Sequence, residues 1–246
     1  MNPDAPVVLV TGAAKRIGAA IARTLHAGGA RVVLHYRSSR GEAQPLARAL
    51  EAARPDSSAL VAADLLDLGA IDRLAQTAHA RWGRLDALVN NASSYFATDL
   101  ATLTGAQFDD LVGTNLKAPL FLSRACAPLL ADGGCIVNII DIHARKPLKG
   151  FAPYLAAKAG LWTLTEALAL ELAPRVRVNG VAPGHMLWAA DPQFSPERAD
   201  AELRRVPMGR LGGEQEIARA VRFLLSSEAA YINGAVLPVD GGLRLA

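Results

Sequence analysis

The chain has 246 residues, enough for one α/β domain and short for two. Its residues are 51% hydrophobic but only 5% aromatic, which implies an Ala/Leu/Val core of the kind that suits a parallel sheet covered by helices. The net charge is +3 with the basic residues dispersed; that excludes a general nucleic-acid surface and leaves them for a local pocket that takes an anionic ligand.

The cysteines, Cys126 and Cys135, fall in an expected helix and an expected strand and read as buried free thiols. The apolar run Val7 to Val10 has no basic leader and is too short for a signal or membrane segment, so a soluble protein of a reducing compartment is expected.

Pro6 to Val10 reads as a buried strand, followed by Thr11-Gly12-Ala13-Ala14-Lys15-Arg16-Ile17-Gly18 and a helical pattern to about Ala27. A strand, a glycine turn and a helix N-terminus make a pyrophosphate site: backbone N–H groups and the helix dipole face the anion, and missing side chains let it approach. An ordinary βα turn containing glycines is the plainer alternative for this segment alone. Arg16 within this loop places a guanidinium to meet cofactor phosphate, a substrate carbonyl, or both. Arg31 to Tyr36 is a second strand. An NAD site carries an acid near that strand's end, roughly 20 residues past the glycine loop. Here no acid precedes Glu42, and the run His35-Tyr36-Arg37-Ser38-Ser39-Arg40 offers cations and hydroxyls to a 2′-phosphate. The predicted cofactor is NADPH.

A helix over about Glu42 to Arg54 leads to a third strand, Ala59 to Ala63, ending at Asp64-Leu65; another helix runs to Trp82, and Leu85 to Asn90 is a fourth strand. Its continuation, Asn91-Ala92-Ser93-Ser94-Tyr95-Phe96, puts amides, hydroxyls and aromatic rings at a strand's C-terminal edge, where ligands of open α/β sheets bind. Tyr95 suits stacking on a flat ring; Phe96 reads equally well as a plug of the core. Asn115 lies in a long helical segment, Gln107 to Leu130, and a buried amide there needs a partner, for which a water near the Lys158 amine is the expected one. Gly134 to Ile140 is the fifth strand and ends beside Asp141.

Pro153 marks the start of the next helix, since proline pre-sets the first turn. Tyr154 and Lys158 are then spaced i, i+4 on one face of that turn. An ammonium beside a phenol lowers the tyrosine pKa and makes it a proton donor near neutral pH; alone, the pair also reads as a common surface pair. Arg175 to Val181 is a sixth strand ending in Pro183-Gly184. Residues 185–213 read as an irregular substrate loop, before a helix over Glu214 to Leu225 and a last strand over Ala235 to Val239. Repeats and domain boundaries are absent. The alternation predicts a single Rossmann-type domain over 1–246, a doubly wound parallel sheet of about seven strands flanked by helices.

Taken together these motifs resemble the short-chain dehydrogenase/reductase family over essentially the full length: Thr11 to Gly18, Asn90-Asn91-Ala92, Asn115, Tyr154 to Lys158, Asn179 with Pro183-Gly184, and Asp240-Gly241-Gly242 fall in family order. Within it the chain is most similar to the pteridine reductases, on Arg16, the Leu34-His35-Tyr36 run, the Ser93-Ser94-Tyr95 run, and Asp141 at a position where most of the family carries serine. The resemblance implies an oxidoreductase with catalytic Asp141, Tyr154, Lys158 and Asn115. It implies NADPH across the sheet edge: pyrophosphate on the loop from Gly12 through Lys15, Arg16, Ile17 and Gly18, and 2′-phosphate near Arg37 and Ser38 beside His35 and Tyr36. Adenine would then meet Asp64 and Leu65, with further cofactor contacts from Asn91, Ala92, Ser93, Pro183 and Gly184. A pterin or folate substrate would meet Arg16, Ser93, Tyr95, Asp141 and Tyr154. A cytoplasmic homotetramer without bound metal is implied as well.

The chemistry of that substrate agrees with Asp141. Reducing a pterin C=N bond takes hydride on carbon and a proton on nitrogen, and a carboxylate accepts from the ring's N–H donors or relays a proton better than a serine. Two rival readings remain open: a carbonyl reductase of the 3-oxoacyl carrier-protein reductase type, and a non-catalytic NADPH-binding sensor.

Overall fold

In the computed structural model, residues 5–186 and 196–246 are described, the side chains of 196–199 excepted. Seven strands form one sheet: β1 (Val7–Val10), β2 (Arg31–Tyr36), β3 (Ser58–Ala62), β4 (Leu85–Asn90), β5 (Leu130–Ile139), β6 (Val176–Pro183) and β7 (Val236–Val239). Their spatial order is β3-β2-β1-β4-β5-β6-β7, and every pairing is parallel. This is the Rossmann-type α/β fold expected.

Eight α-helices accompany the strands among the described residues: α1 (Arg16–Ala27), α2 (Arg40–Ala53), α3 (Leu68–Ala80), α4 (Gly105–Val112), α5 (Ala118–Cys126), α6 (Ala152–Leu172), α7 (Pro196–Arg204) and α8 (Glu214–Leu225). Successive strand side chains point to opposite faces, so the fully buried β1 feeds both layers. Val8 and Val10 pack with Ile21 and Leu25 of α1 and Val221 of α8. Val7 and Leu9 pack with Leu74 of α3, Leu122 of α5 and Leu168 of α6. A strand buried on both sides has no polar alternation, which is why β1 reads as a continuous apolar run. None of the described helices is long and apolar enough to cross a membrane.

The helical segment at Gln107 to Leu130 is not one helix. A capping box between Thr104 and Gln107 starts α4. A π-helical turn (Gly113–Lys117) separates it from α5, a short 3-10 turn follows, and Leu130 already belongs to β5. Such π turns admit an extra residue and recur at functional sites; this one holds Asn115. The segment 185–213 is not wholly irregular either, because α7 lies within it; the part at 187–195 lies outside the described residues.

Candidate active site

The strand order reverses between β1 and β4, and the crevice beyond their C-terminal ends is a cavity of about 840 Å³. Every residue singled out above for cofactor or substrate lines it, whereas Asn115 does not and lies behind Ser93.

At the cavity's glycine-loop end, Thr11 ties the two strands together. Its hydroxyl accepts from the backbone N–H groups of Asn91 (2.9 Å) and Ala92 (3.0 Å), and the Asn91 amide donates back to the Thr11 carbonyl (2.9 Å). Gly18 has no room for a side chain, since a Cβ would stand 2.2 Å from the Gly12 carbonyl oxygen. Helix α1 has no acid in its first turn and no side-chain cap from Lys15, so its leading N–H groups are left for an anion. Arg16 opens α1 at φ +52°, in the left-handed region that favours glycine. The backbone therefore keeps the shape of a glycine loop while presenting a guanidinium to the cavity.

At the end of β2, His35 differs from expectation. Its Nδ1 accepts from the Gly12 N–H (3.2 Å) and its Nε2 donates to the Ala63 carbonyl (3.1 Å), so the ring spans β1, β2 and β3 as a neutral brace. Burial pushes its pKa down to about 4. It is no cation for a phosphate; its contribution is to hold the glycine loop. Arg37 is exposed, 4.0 Å from Asp110, and lines the cavity with Ser38, leaving that corner without a carboxylate on β2.

The other end centres on Asp141, just past β5. One carboxylate oxygen accepts the Tyr154 hydroxyl (2.8 Å) and the other accepts the His143 backbone N–H (2.8 Å). Pro153 sits in the first turn of α6, as expected, and brings Tyr154 and Lys158 onto one face. Two expectations are corrected here. The Tyr154 phenol is not made more acidic: burial first, then the Asp141 carboxylate, hold its pKa well above the ordinary value. Lys158, fully buried, is itself the perturbed cation, pushed down to about 8 by burial against the opposing pull of Asp141. Its Nζ donates to the Ile139 carbonyl at 2.9 Å. The Asn115 amide likewise needs no water near Lys158. It donates to the Leu111 carbonyl (2.9 Å) and the Ser94 carbonyl (2.8 Å), and accepts from Ser93 Oγ (2.7 Å).

The Tyr95 ring lines the cavity, stacked on Phe151 (centroids 4.9 Å apart, 13° between planes) and edge-on to Tyr154 (4.9 Å, 79°). Phe96 packs into the cluster of Leu111, Tyr154 and Leu155, which makes it the core plug. Sequence reading missed His143, and it covered His185, Glu202 and Arg205 only as part of the 185–213 substrate loop without singling them out; all four line the cavity. It also missed a buried polar ladder under the site: Asn90 donates to Asn138 (2.8 Å) and Ser123 (3.2 Å), and Asn138 to Thr165 (2.9 Å). Asn138 at a strand end was the available signal; the hydroxyls of Ser123 and Thr165 gave none.

Residues 12–244 match the family described as enoyl-(acyl carrier protein) reductase, a branch of the short-chain reductases. The chain belongs to the short-chain dehydrogenase/reductase family. Among relatives of this short-chain reductase, pteridine reductase 1 of Leishmania tarentolae is 38% identical over 99% of the chain and 98% of that protein. The 3-oxoacyl-(acyl-carrier-protein) reductase of Escherichia coli K12 is also 38% identical, over 100% of both chains. A 3beta-hydroxysteroid dehydrogenase of Eggerthella lenta is 36% identical over 97% of the chain and 93% of its own length. The family is one of nicotinamide-dependent oxidoreductases, and equal identity to two differently named enzymes leaves the substrate to the site itself.

Proposed function

We propose that this short-chain reductase uses NADPH to reduce the C=N bond of a dihydropterin or dihydrofolate. The observation that carries the reading is the carboxylate of Asp141 bonded to the Tyr154 hydroxyl at 2.8 Å, at a position where the family usually has serine. A ketone asks for one proton donor on oxygen. A pterin also presents N–H donors along its amino-pyrimidine edge, and a carboxylate with unused lone pairs suits them.

The cavity fits the dinucleotide. Helix α1 offers first-turn N–H groups without a side-chain cap, a Cβ at Gly12 would stand 2.9 Å from Ala92, and Arg37 and Ser38 supply a cation and a hydroxyl where an NAD site would have an acid. When bound, the reduced nicotinamide supplies the hydride. The chain's own residues do the rest. Tyr154 holds a proton on its hydroxyl against Asp141, and the pair hands it to the substrate nitrogen. Lys158 fixes the cofactor ribose and keeps positive charge beside the phenol. Arg16 and Ser93 take the substrate's polar edge or the phosphates, Tyr95 covers its ring, and Asn115 holds Ser93 in place. As in the family it resembles, the enzyme would work as a cytoplasmic homotetramer, which sedimentation of the purified protein checks.

A second reading, reduction of a 3-oxoacyl thioester, is favoured by the E. coli relative. One screen separates the two. NADPH oxidation is followed with dihydrobiopterin, dihydromonapterin, dihydrofolate and a β-ketoester; turnover of the ketoester without any pterin overturns the first reading.

A further inference from the structure

The adenosine end of the cavity carries a charge that the reading above does not use. Arg37 lines the cavity just past β2, and its Nη1 stands 4.0 Å from Oδ1 of Asp110 on α4. That distance is too long for a hydrogen bond, so the carboxylate acts on Arg37 through charge and does not occupy its donors. Asp110 is placed by its own helix, which the Thr104–Gln107 capping box starts, and the same oxygen accepts from Thr114 Oγ1 (3.5 Å) in the π-helical turn. Thr114 also lines the cavity, so Asp110 stands behind two of its wall residues. Two further carboxylates at this end are engaged elsewhere. Glu42 pairs with Lys15 (3.3 Å), and Asp64 accepts from the Leu66 backbone N–H (3.0 Å). Asp110 is the acid set against Arg37.

We infer that Asp110 is a cofactor-specificity residue that works against the 2′-phosphate: it offsets the charge of Arg37 and keeps the preference for NADPH over NADH below what the arginine alone would give. The inference rests on the proposed use of NADPH with its 2′-phosphate at Arg37. A phosphate monoester carries close to two negative charges at neutral pH. Bound to a guanidinium that is itself 4.0 Å from a carboxylate, it lies within about one Debye length of Asp110, about 8–10 Å at ordinary ionic strength, and is repelled. NADH puts an uncharged hydroxyl there and meets no such repulsion. In an NAD site the discriminating acid sits near the end of the second strand. Here the negative charge comes from a helix far along the chain and stands one guanidinium away from the phosphate. Both side chains are partly exposed, so solvent and salt weaken the effect to a several-fold change rather than an exclusion.

The test measures Kd for NADPH and for NADH by fluorescence titration of the purified chain. The proteins are wild type, Asp110→Asn, Asp110→Ser and, as a control, Asp109→Asn. Asp109 is exposed, is the preceding residue on α4, and its replacement removes the same formal charge. Both Asp110 variants should bind NADPH roughly three- to tenfold tighter at low salt and bind NADH as wild type does. The gain should fade at about 1 M salt, where the screening length falls to about 3 Å. Asp109→Asn should move neither cofactor. An NADPH Kd that is unchanged or raised in the Asp110 variants overturns the inference, because the carboxylate is then neutral to the phosphate or helps to orient Arg37. Equal shifts for both cofactors overturn it as well, and so does the same gain in Asp109→Asn, which marks a bulk charge effect. A wild type that binds NADPH no tighter than NADH removes the NADPH reading itself, a result distinct from these.

Discussion

Replacing Asp141 by asparagine separates the pterin reading from the carbonyl reading, and the structure sets what should happen. Asparagine keeps the size, and its side-chain oxygen still accepts the His143 N–H, so the turn over Ile142–Ala144 is retained. Its NH₂ group then faces the Tyr154 oxygen as a donor and reverses the direction of the 2.8 Å hydrogen bond. The phenol proton loses its acceptor and the site loses its carboxylate. A general acid–base contribution is about 10²-fold or more, and kcat/KM for dihydropterin should fall by that amount. NADPH affinity should change little, because the glycine loop and the Arg37 corner are untouched. Asp141 also raises the pKa of Lys158 against burial. Without it that value drops below about 8, so the ammonium is lost at lower pH and the alkaline limb of the rate profile moves down. The assay is the initial rate of NADPH oxidation across pH, with the cofactor Kd titrated separately. Wild-type pterin turnover in the asparagine variant, with the alkaline limb unmoved, would refute the mechanism.

Arg37→Ala should weaken NADPH binding by on the order of tenfold and barely affect NADH, as expected for loss of one charge-assisted phosphate contact; equal loss for both cofactors in a binding titration places the 2′-phosphate elsewhere. Tyr95→Ala should raise the pterin KM several-fold while Tyr95→Phe keeps most activity, given about 0.5–1.5 kcal/mol for a stacked pair; an unchanged KM in the alanine variant assigns the ring to its Phe151 contact alone. Lys158 has a folded-state pKa of about 8 against an ordinary 10.5, so the cost of burying the cation is fully present below pH 8 and is relieved as pH rises towards 10.5. Lys158→Met should therefore inactivate the enzyme yet raise its urea-unfolding stability at neutral pH by about 2 kcal/mol, after loss of the Ile139 bond; a destabilised variant contradicts this. Arg16→Gly should stabilise the free protein by about 1 kcal/mol by relieving a left-handed arginine, while weakening pterin or cofactor binding; lower stability on thermal unfolding contradicts it.

The fold was legible because its signals are local. A four-residue apolar strand, a glycine turn and a helix start follow one another at β1, and the same alternation repeats along the chain. The cavity's rim was legible for the same reason, since strand ends and the residues after them are contiguous in sequence. Interactions that join distant segments were not. Asn115 was assigned a water because nothing in its neighbourhood shows Ser93 and Ser94 arriving from the loop after β4. His35 looked like a cation beside Arg37 until its two nitrogens were seen to span Gly12 and Ala63, which fixes a neutral tautomer. The acidity of Tyr154 was misjudged because i, i+4 spacing gives the distance to Lys158 but neither the depth of burial nor the second charge. Glu202 reaches the cavity on α7 and Arg205 from the turn just past it, and the sequence around that helix, rich in Pro, Asp and Arg, reads as loop.

Three residues of the cavity carry local costs that stability alone does not explain. Arg16 is one of two non-glycine residues with positive φ among the described residues; the other, Asp56, sits in a turn where Arg81 and the Trp82 indole hold its carboxylate. Lys158 keeps an ammonium fully buried with one carbonyl as its hydrogen-bond partner. His143 leaves a ring nitrogen without a hydrogen-bond partner among the described residues. Each such feature costs about 1–3 kcal/mol, against a typical total of about 5–15 kcal/mol for a domain, so their sum is a large fraction of what the fold has available. Glycine, methionine and leucine at these positions would each remove a penalty. What the three share is the wall of one cavity, which Arg16, Lys158 and His143 all line. The tolerance comes from elsewhere: the Thr11 and His35 braces on one side and the Asn90–Asn138–Thr165 ladder on the other fix the strand ends, so local strain does not loosen the sheet. Penalties concentrated on one cavity wall, with the frame around it fully bonded, are what a site selected for ligand chemistry should show.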